Sequence, residues 1–199
     1  PDRGGIVSSF EFFTVLLSFV VSIGVANLLQ TVAQLMQAQE RVRFSLTWAL
    51  WAAAIFNLQI TYWLRSWTYH ENFMLRIETS VPPLVLAIIA FMACGLASPR
   101  VPDTGEIDLR AFHNDDGRKY QIAYAAFMLM AIVQGILMAD IASEALPPSK
   151  LLVDSMIQGA FAVMAILAAV FHKVRWLQVS VPALFIIFAL GFYGQLMEQ

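Results

Sequence analysis

Val81–Leu96 reads VPPLVLAIIAFMACGL, and one hundred residues further on Val181–Leu196 reads VPALFIIFALGFYGQL. Aligned without a gap from Ser80 and Ser180, the two share that Ser, the Val, the Pro, a Leu two residues past the Pro, and the closing Leu. Each is the third apolar segment of its half of the chain, so the sequence reads as two three-segment units in tandem. A stretch of about 20 largely apolar residues crosses the hydrocarbon core of a bilayer. Units with an odd number of spans enter the membrane from opposite sides, which makes a 3+3 inverted repeat one reading of the likeness. The plainer reading is that two apolar helices each open with a Pro, a residue that suits a first turn.

Composition agrees with a membrane setting. The chain has 199 residues, of which 59% are hydrophobic and 13% charged, with a mean hydropathy of +0.69. Soluble domains carry about a quarter charged residues. A formal net charge of −2 and the lack of a basic block argue against nucleic acid as a partner. Single-strand readers interleave aromatics with basic residues, whereas these aromatics sit inside apolar stretches. The single cysteine, Cys94, provides neither a disulfide framework nor a Cys-based metal site.

Six spans are expected, over residues 10–35, 45–67, 81–97, 122–143, 151–171 and 176–197. They form an all-α, polytopic single membrane domain, 1–199, with halves 6–98 and 121–199. The linker between the halves, 99–120, opens with Pro99, Pro102 and Gly105 and reads as a short interfacial helix or a solvated cytoplasmic segment. Lys and Arg set orientation. The connections after spans one, three and five hold Arg41, Arg43, Arg100, Arg110, Arg118, Lys119, Lys173 and Arg175, against Arg3, Arg65, Arg76 and Lys150 on the other side. Those three connections are expected in the cytoplasm and both termini in the periplasm.

Polar residues inside spans need a partner or a wet cavity, so they are the candidate site. In span one, Asn27, Gln30, Thr31 and Gln34 share a stripe, read as a hydrated vestibule, as inter-helix hydrogen bonding, or as helix projecting past the lipid. In span two, Asn57, Thr61 and Arg65 share a face, while Gln59 looks elsewhere. Arg65 either snorkels to the headgroups among Tyr62, Trp63 and Trp67, or faces the bundle and pairs with an acid. Asp140, Glu144, Asp154 and Glu11 lie on the same side of the membrane in this topology. A buried Asp must be paired, protonated or cation-bound. An outer cavity of Asp140, Asp154 and Gln158 opposite Arg65 is the sharpest expectation; the alternative is that the acids face water around Pro147-Pro148. Gln134 is the deepest polar residue of span four, a helix–helix bond or a ligand. Ser155-x-x-x-Gly159 and Ala165-x-x-x-Ala169 give span five small-residue faces for close packing or an oligomer interface.

His70, His113 and His172 fall in or beside loops, with no HExxH and no His pair at i, i+4. Nothing resembles a Gly-rich phosphate loop or a Gly-x-Ser-x-Gly elbow. No cofactor, no metal and no enzyme activity is expected.

Phe10-Glu11-Phe12-Phe13 opening span one, the Trp-rich second span and Ile107-Asp108-Leu109-Arg110 resemble an uncharacterised group of bacterial inner-membrane proteins of this size. That resemblance implies an inner-membrane location and carries no chemistry. The three-plus-three plan is similar to that of the trimeric intracellular cation channels, without their motifs and without a seventh span. The sequence expectation is a small channel or transporter for a cation or small polar solute, resting on the repeat and the outer acids. The alternative is a non-catalytic membrane subunit, sensor or scaffold that packs on a partner complex through its aromatic second span. The expected partners are the lipid bilayer, a second copy of the chain, and a membrane protein.

Overall fold

The computed structural model describes residues 9–66, 77–141 and 148–197. Its helices are α1 (Ser9–Gln37), α2 (Leu46–Ser66), α3 (Ile77–Ala97), α4 (Leu109–Ile141), α5 (Pro148–Val170) and α6 (Arg175–Met197). Four of them contain stretches long and apolar enough to cross a membrane: Glu11–Gln37, Ser80–Ala97, Leu109–Leu137 and Leu151–Val170. Their outward faces are apolar, as in Phe12, Leu16, Phe19 and Ile23 of α1 or Leu152, Met156, Val163 and Ile166 of α5. Such a surface suits lipid, and the molecule has the character of a multi-pass membrane protein. Over the described side chains of α6 the apolar stretch is Arg175–Gly191. α2 carries Asn57, Gln59, Thr61 and Arg65, which lowers its average apolarity, and of its residues Leu46 alone is exposed.

α2 is the hub, packed against α1, α3, α4 and α6, while α5, α4, α3 and α1 follow one another as a row. Its fully buried face holds Trp51, Ala54, Ile55 and Leu58. Trp51 meets Tyr124 of α4 edge-on, with centroids 5.8 Å apart, and Trp48 Nε1 donates to the Ala97 carbonyl at 2.9 Å. Gly24 is where α1 comes closest: a Cβ there would lie 2.6 Å from the Gln59 amide nitrogen and 3.4 Å from Phe91 Cα. On the other flank, α4 and α5 pack through small residues. A Cβ at Gly135 would sit 3.6 Å from Leu151, and one at Gly159 3.9 Å from Ile132.

Two expectations are corrected here. Of the two readings of 99–120 the helical one fits its second part, but that helix is neither short nor separate from span four, because α4 begins at Leu109 and runs without a break to Ile141. Its opening turns bury Leu109, His113, Gly117 and Tyr120 along one face and turn Arg110, Asn114, Asp115 and Arg118 outward. The prolines are not first-turn residues either. α3 starts at Ile77 and α6 at Arg175, so Pro82, Pro83 and Pro182 lie inside their helices. The Pro83 carbonyl, near the hydrogen bonds that proline cannot make, accepts the Tyr62 hydroxyl. The matching segments also sit differently: Val181 is buried and Val81 exposed.

The connections after α1, α3 and α5 meet at one end of the bundle. Strands β1 (Val42–Arg43) and β2 (Ile107–Asp108) pair in parallel, Val42 opposite Ile107. Arg41 donates to the carbonyls of Gly105 at 3.1 Å and Pro102 at 3.3 Å. Gly105 adopts φ +94°, a backbone conformation that glycine allows without steric penalty. Arg43 pairs with Glu106, and Arg118 donates to His172 Nδ1 at 2.6 Å, which ties in the α5–α6 connection.

Asp108 caps α4, accepting the Arg110 and Ala111 backbone N–H groups at 2.8 Å each. The Ala111 bond does most to hold its carboxyl below the ordinary carboxylate range; desolvation opposes it, and the Arg110 N–H and the Arg43 and Arg110 charges assist. A carboxyl whose folded pKa is lowered stabilises the fold above its unfolded pKa, and that contribution fades as pH falls through the folded value. Asp108→Ala is therefore expected to melt below the parent at neutral pH, with the two melting curves converging in acid. A gap independent of pH would show that the capping carboxylate is not its source.

Candidate functional site

Asn57, Thr61 and Arg65 rise along one face of α2, four residues apart, as 3.6 residues per turn requires. The structure sets that face toward α5 and α6. Thr61 Oγ1 and the Tyr193 hydroxyl of α6 are 3.0 Å apart, and the same hydroxyl lies 3.4 Å from both the carbonyl and the side-chain oxygen of Asn57. The Asn57 amide donates back to the Ala53 carbonyl at 2.9 Å. One turn beyond Thr61, the Arg65 guanidinium meets Asp154 of α5, Nη2 to Oδ2 at 3.2 Å.

That ion pair spans a gap between helices. α5 packs extensively on α4 and only lightly on α6, and among the described residues α2 and α5 are not a packed pair. The tight turn at Phe171–Val174 holds α5 and α6 together at one end. At the other end the Arg65–Asp154 pair bridges α2 and α5 beside the packed α2–α6 pair, a lightly packed junction termed the crevice below. The Arg65 and Asp154 side chains are 38% and 41% exposed, so the pair stands at the mouth and not in the core. Gln158, one turn below Asp154, is half-buried. About two turns further in, Phe161 of α5 meets Phe185 and Phe188 of α6 at centroid distances of 5.4 and 5.7 Å, and Phe185 meets Tyr124 edge-on at 5.1 Å. Phe161 and Phe185 are buried, while Phe188 is exposed.

The other sequence candidates fall elsewhere. Asp140 lies in the last turns of α4; its side chain and all of Glu144 are outside the described residues, as are Trp67 and Tyr69. Gln134 is buried in α4. Thr31 is buried and donates to the Asn27 carbonyl at 3.0 Å, a bond within its own helix. Asn27, Gln30 and Gln34 are exposed on α1 beside its packed face, so the stripe does not line an internal vestibule. Its later residues fall where a helix of 29 residues exceeds the about 20 needed to cross the hydrocarbon. Gln59 looks away from the crevice, fully buried, its amide 3.4 Å from the Cys94 sulfur.

Sequence reading missed Tyr193, which joins Thr61 and Asn57 across more than 130 residues of chain and leaves no periodic mark. It also missed a deeper polar set. Gln121 of α4 donates to Gln178 of α6, Gln178 donates to the Ala168 carbonyl at 2.6 Å, and His113 is hydrogen-bonded to the Tyr120 hydroxyl. Trp51 Nε1, Gln121 Oε1 and the Tyr124 hydroxyl are buried there without a hydrogen-bond partner. Among the described residues no three His, Cys, Asp or Glu side chains are grouped to hold a metal ion.

Comparison of the chain with protein-family models, with curated proteins and with solved structures returns no match.

Proposed function

We propose that this chain is a six-span protein of a bacterial inner membrane that moves a small cation or polar solute through the crevice between α2, α5 and α6. The observation that carries the reading is the Arg65–Asp154 pair, held by helices that are not otherwise a packed pair among the described residues. Charges placed inside a membrane domain are expensive, and those that persist there commonly mark a path or a binding site. α2 and α6, at 21 and 23 residues, have the length to span. Of the polar groups that lower the apolarity of α2, Gln59 is buried, Thr61 meets Tyr193, and Arg65 meets Asp154 at the mouth. With the Arg-rich end in the cytoplasm, the crevice opens to the periplasm.

The alternative scaffold reading needed the aromatic face of α2 for a partner. Trp48, Trp51 and Tyr62 are buried within the chain itself, and Trp63 donates to Ser18 of α1 at 3.0 Å. Among the described residues, then, the aromatic side chains of α2 are engaged within the chain, which favours the transport reading over a partner-binding one.

The test is flux into proteoliposomes under potassium, sodium, proton and chloride gradients and with radiolabelled small solutes, parent against Asp154→Asn. Removing one member of a bonded charge pair is expected to lower the transported flux at least about tenfold. Flux that is absent for every species in the parent removes the transport reading.

A further inference from the structure

We propose that the crevice binds a compact zwitterion, its carboxylate on Arg65 and its ammonium on Asp154. The inference rests on the reading of the crevice as the solute site and narrows the class of solute. A site for a simple cation needs an excess of negative charge, whereas Asp154 already faces a guanidinium at 3.2 Å. A cation drawn to Asp154 meets the like charge of Arg65, and an anion drawn to Arg65 meets Asp154. At such distances both repulsions are strong in a partly desolvated site. An uncharged solute would have to separate the pair without replacing either partner.

A zwitterion replaces one ion pair with two. Its carboxylate accepts from the planar guanidinium fork, which matches a carboxylate in two-point contact, and its ammonium donates to Asp154. The neutral groups beside the pair suit the same solute. Thr61, Tyr193 and Asn57 form one hydroxyl–amide wall, and Gln158 lies one turn below Asp154. The half-exposed position of both charges makes the pair reachable without unfolding a helix. Phe161, Phe185 and Phe188 place apolar rings inward of the pair.

The experiment uses the purified chain with glycine, L-alanine and glycine betaine as zwitterions, methylammonium and acetate as single-charge controls, and urea as a neutral one. Binding is read by thermal shift and by equilibrium binding of labelled glycine; transport is read by rubidium and glycine uptake into proteoliposomes. The expected result is stabilisation and saturable binding with glycine or alanine. Methylammonium and acetate give neither, alone or mixed. Asp154→Asn and Arg65→Gln each weaken binding at least about tenfold. Thr61→Val, which keeps both charges and the side-chain shape, weakens it less, and serves if either charge variant fails to fold. Glycine betaine, whose quaternary nitrogen cannot donate to Asp154, binds more weakly than glycine. Rubidium uptake that is lost in Asp154→Asn, with no zwitterion binding, overturns this inference and leaves the transport reading standing. Zwitterion binding without any uptake supports the inference and overturns transport in favour of a sensor. Neither binding nor uptake overturns both.

Discussion

Replacing Trp51 by Ala is expected to lower the unfolding free energy by about 3–5 kcal/mol, the range for emptying a large aromatic site in a packed core. The indole is wholly buried at the crossing of α2 and α4. It stands edge-on to Tyr124 at 5.8 Å and tilted to Tyr120 at 6.1 Å. Arranged aromatic pairs add about 0.5–1.5 kcal/mol each beyond the area they bury. In lipid the gain from excluding water between helices is small, so contact packing carries a larger share of what holds helices together, and a lost indole is a lost set of contacts. Trp51→Phe separates this from hydrogen bonding. Trp51 Nε1 has no acceptor, so Phe removes a buried orphan donor while keeping most of the ring. It is expected to cost under about 2 kcal/mol, since deleting an unbonded donor offsets part of the void. Denaturation in mixed micelles reads both variants. A cost for Trp51→Ala below about 1 kcal/mol would mean that the α2–α4 crossing does not depend on this ring.

The contrast between what the sequence discloses and what it hides follows from the range of the interactions. α1, α2, α5 and α6 lie within a few residues of their expected spans because apolar run length is a local property. The face shared by Asn57, Thr61 and Arg65 is likewise local, fixed by helical spacing. Which way a face points is not. The stripe of Asn27, Gln30, Thr31 and Gln34 reads as one surface, yet Thr31 turns into the bundle and the three amides turn out. The early turns of α4 were hidden for a related reason. Asp115-Asp116-Gly117-Arg118-Lys119 has the composition of a solvated turn, but its charges lie on the outward face of a helix whose inner face is His113, Gly117 and Tyr120. The choice between a snorkelling and a paired Arg65 depends on Asp154, 89 residues away. No local pattern carries that separation.

The Arg65–Asp154 pair gives the second large effect, and it is an effect of context. Arg65→Ala alone and Asp154→Ala alone are each expected to destabilise more than the two together. Each single change takes from the remaining charge at the crevice mouth the opposite charge it meets in the fold, and a charge that is partly out of water and less well compensated is the costly state. With side chains 38% and 41% exposed, the pair stands between the two measured limits. Exposed pairs contribute about 0.2–1 kcal/mol, and breaking a buried pair costs about 3–5 kcal/mol. A coupling of about 1–3 kcal/mol is therefore expected from a double-mutant cycle on unfolding in mixed micelles. The charge-swapped double variant, Arg65→Asp with Asp154→Arg, is expected to recover part of it. Additive single changes would mean that the two side chains meet without holding one another. The size of the coupling also bears on how the crevice works. α2 and α5 are bridged here by side chains and not by packed backbone, so under the proposed function a solute that competes for both charges would enter without moving a helix. A coupling near about 1 kcal/mol leaves the pair easily exchanged for a solute's own charges, whereas one near about 3 kcal/mol makes it a latch that only a ligand supplying both charges can release.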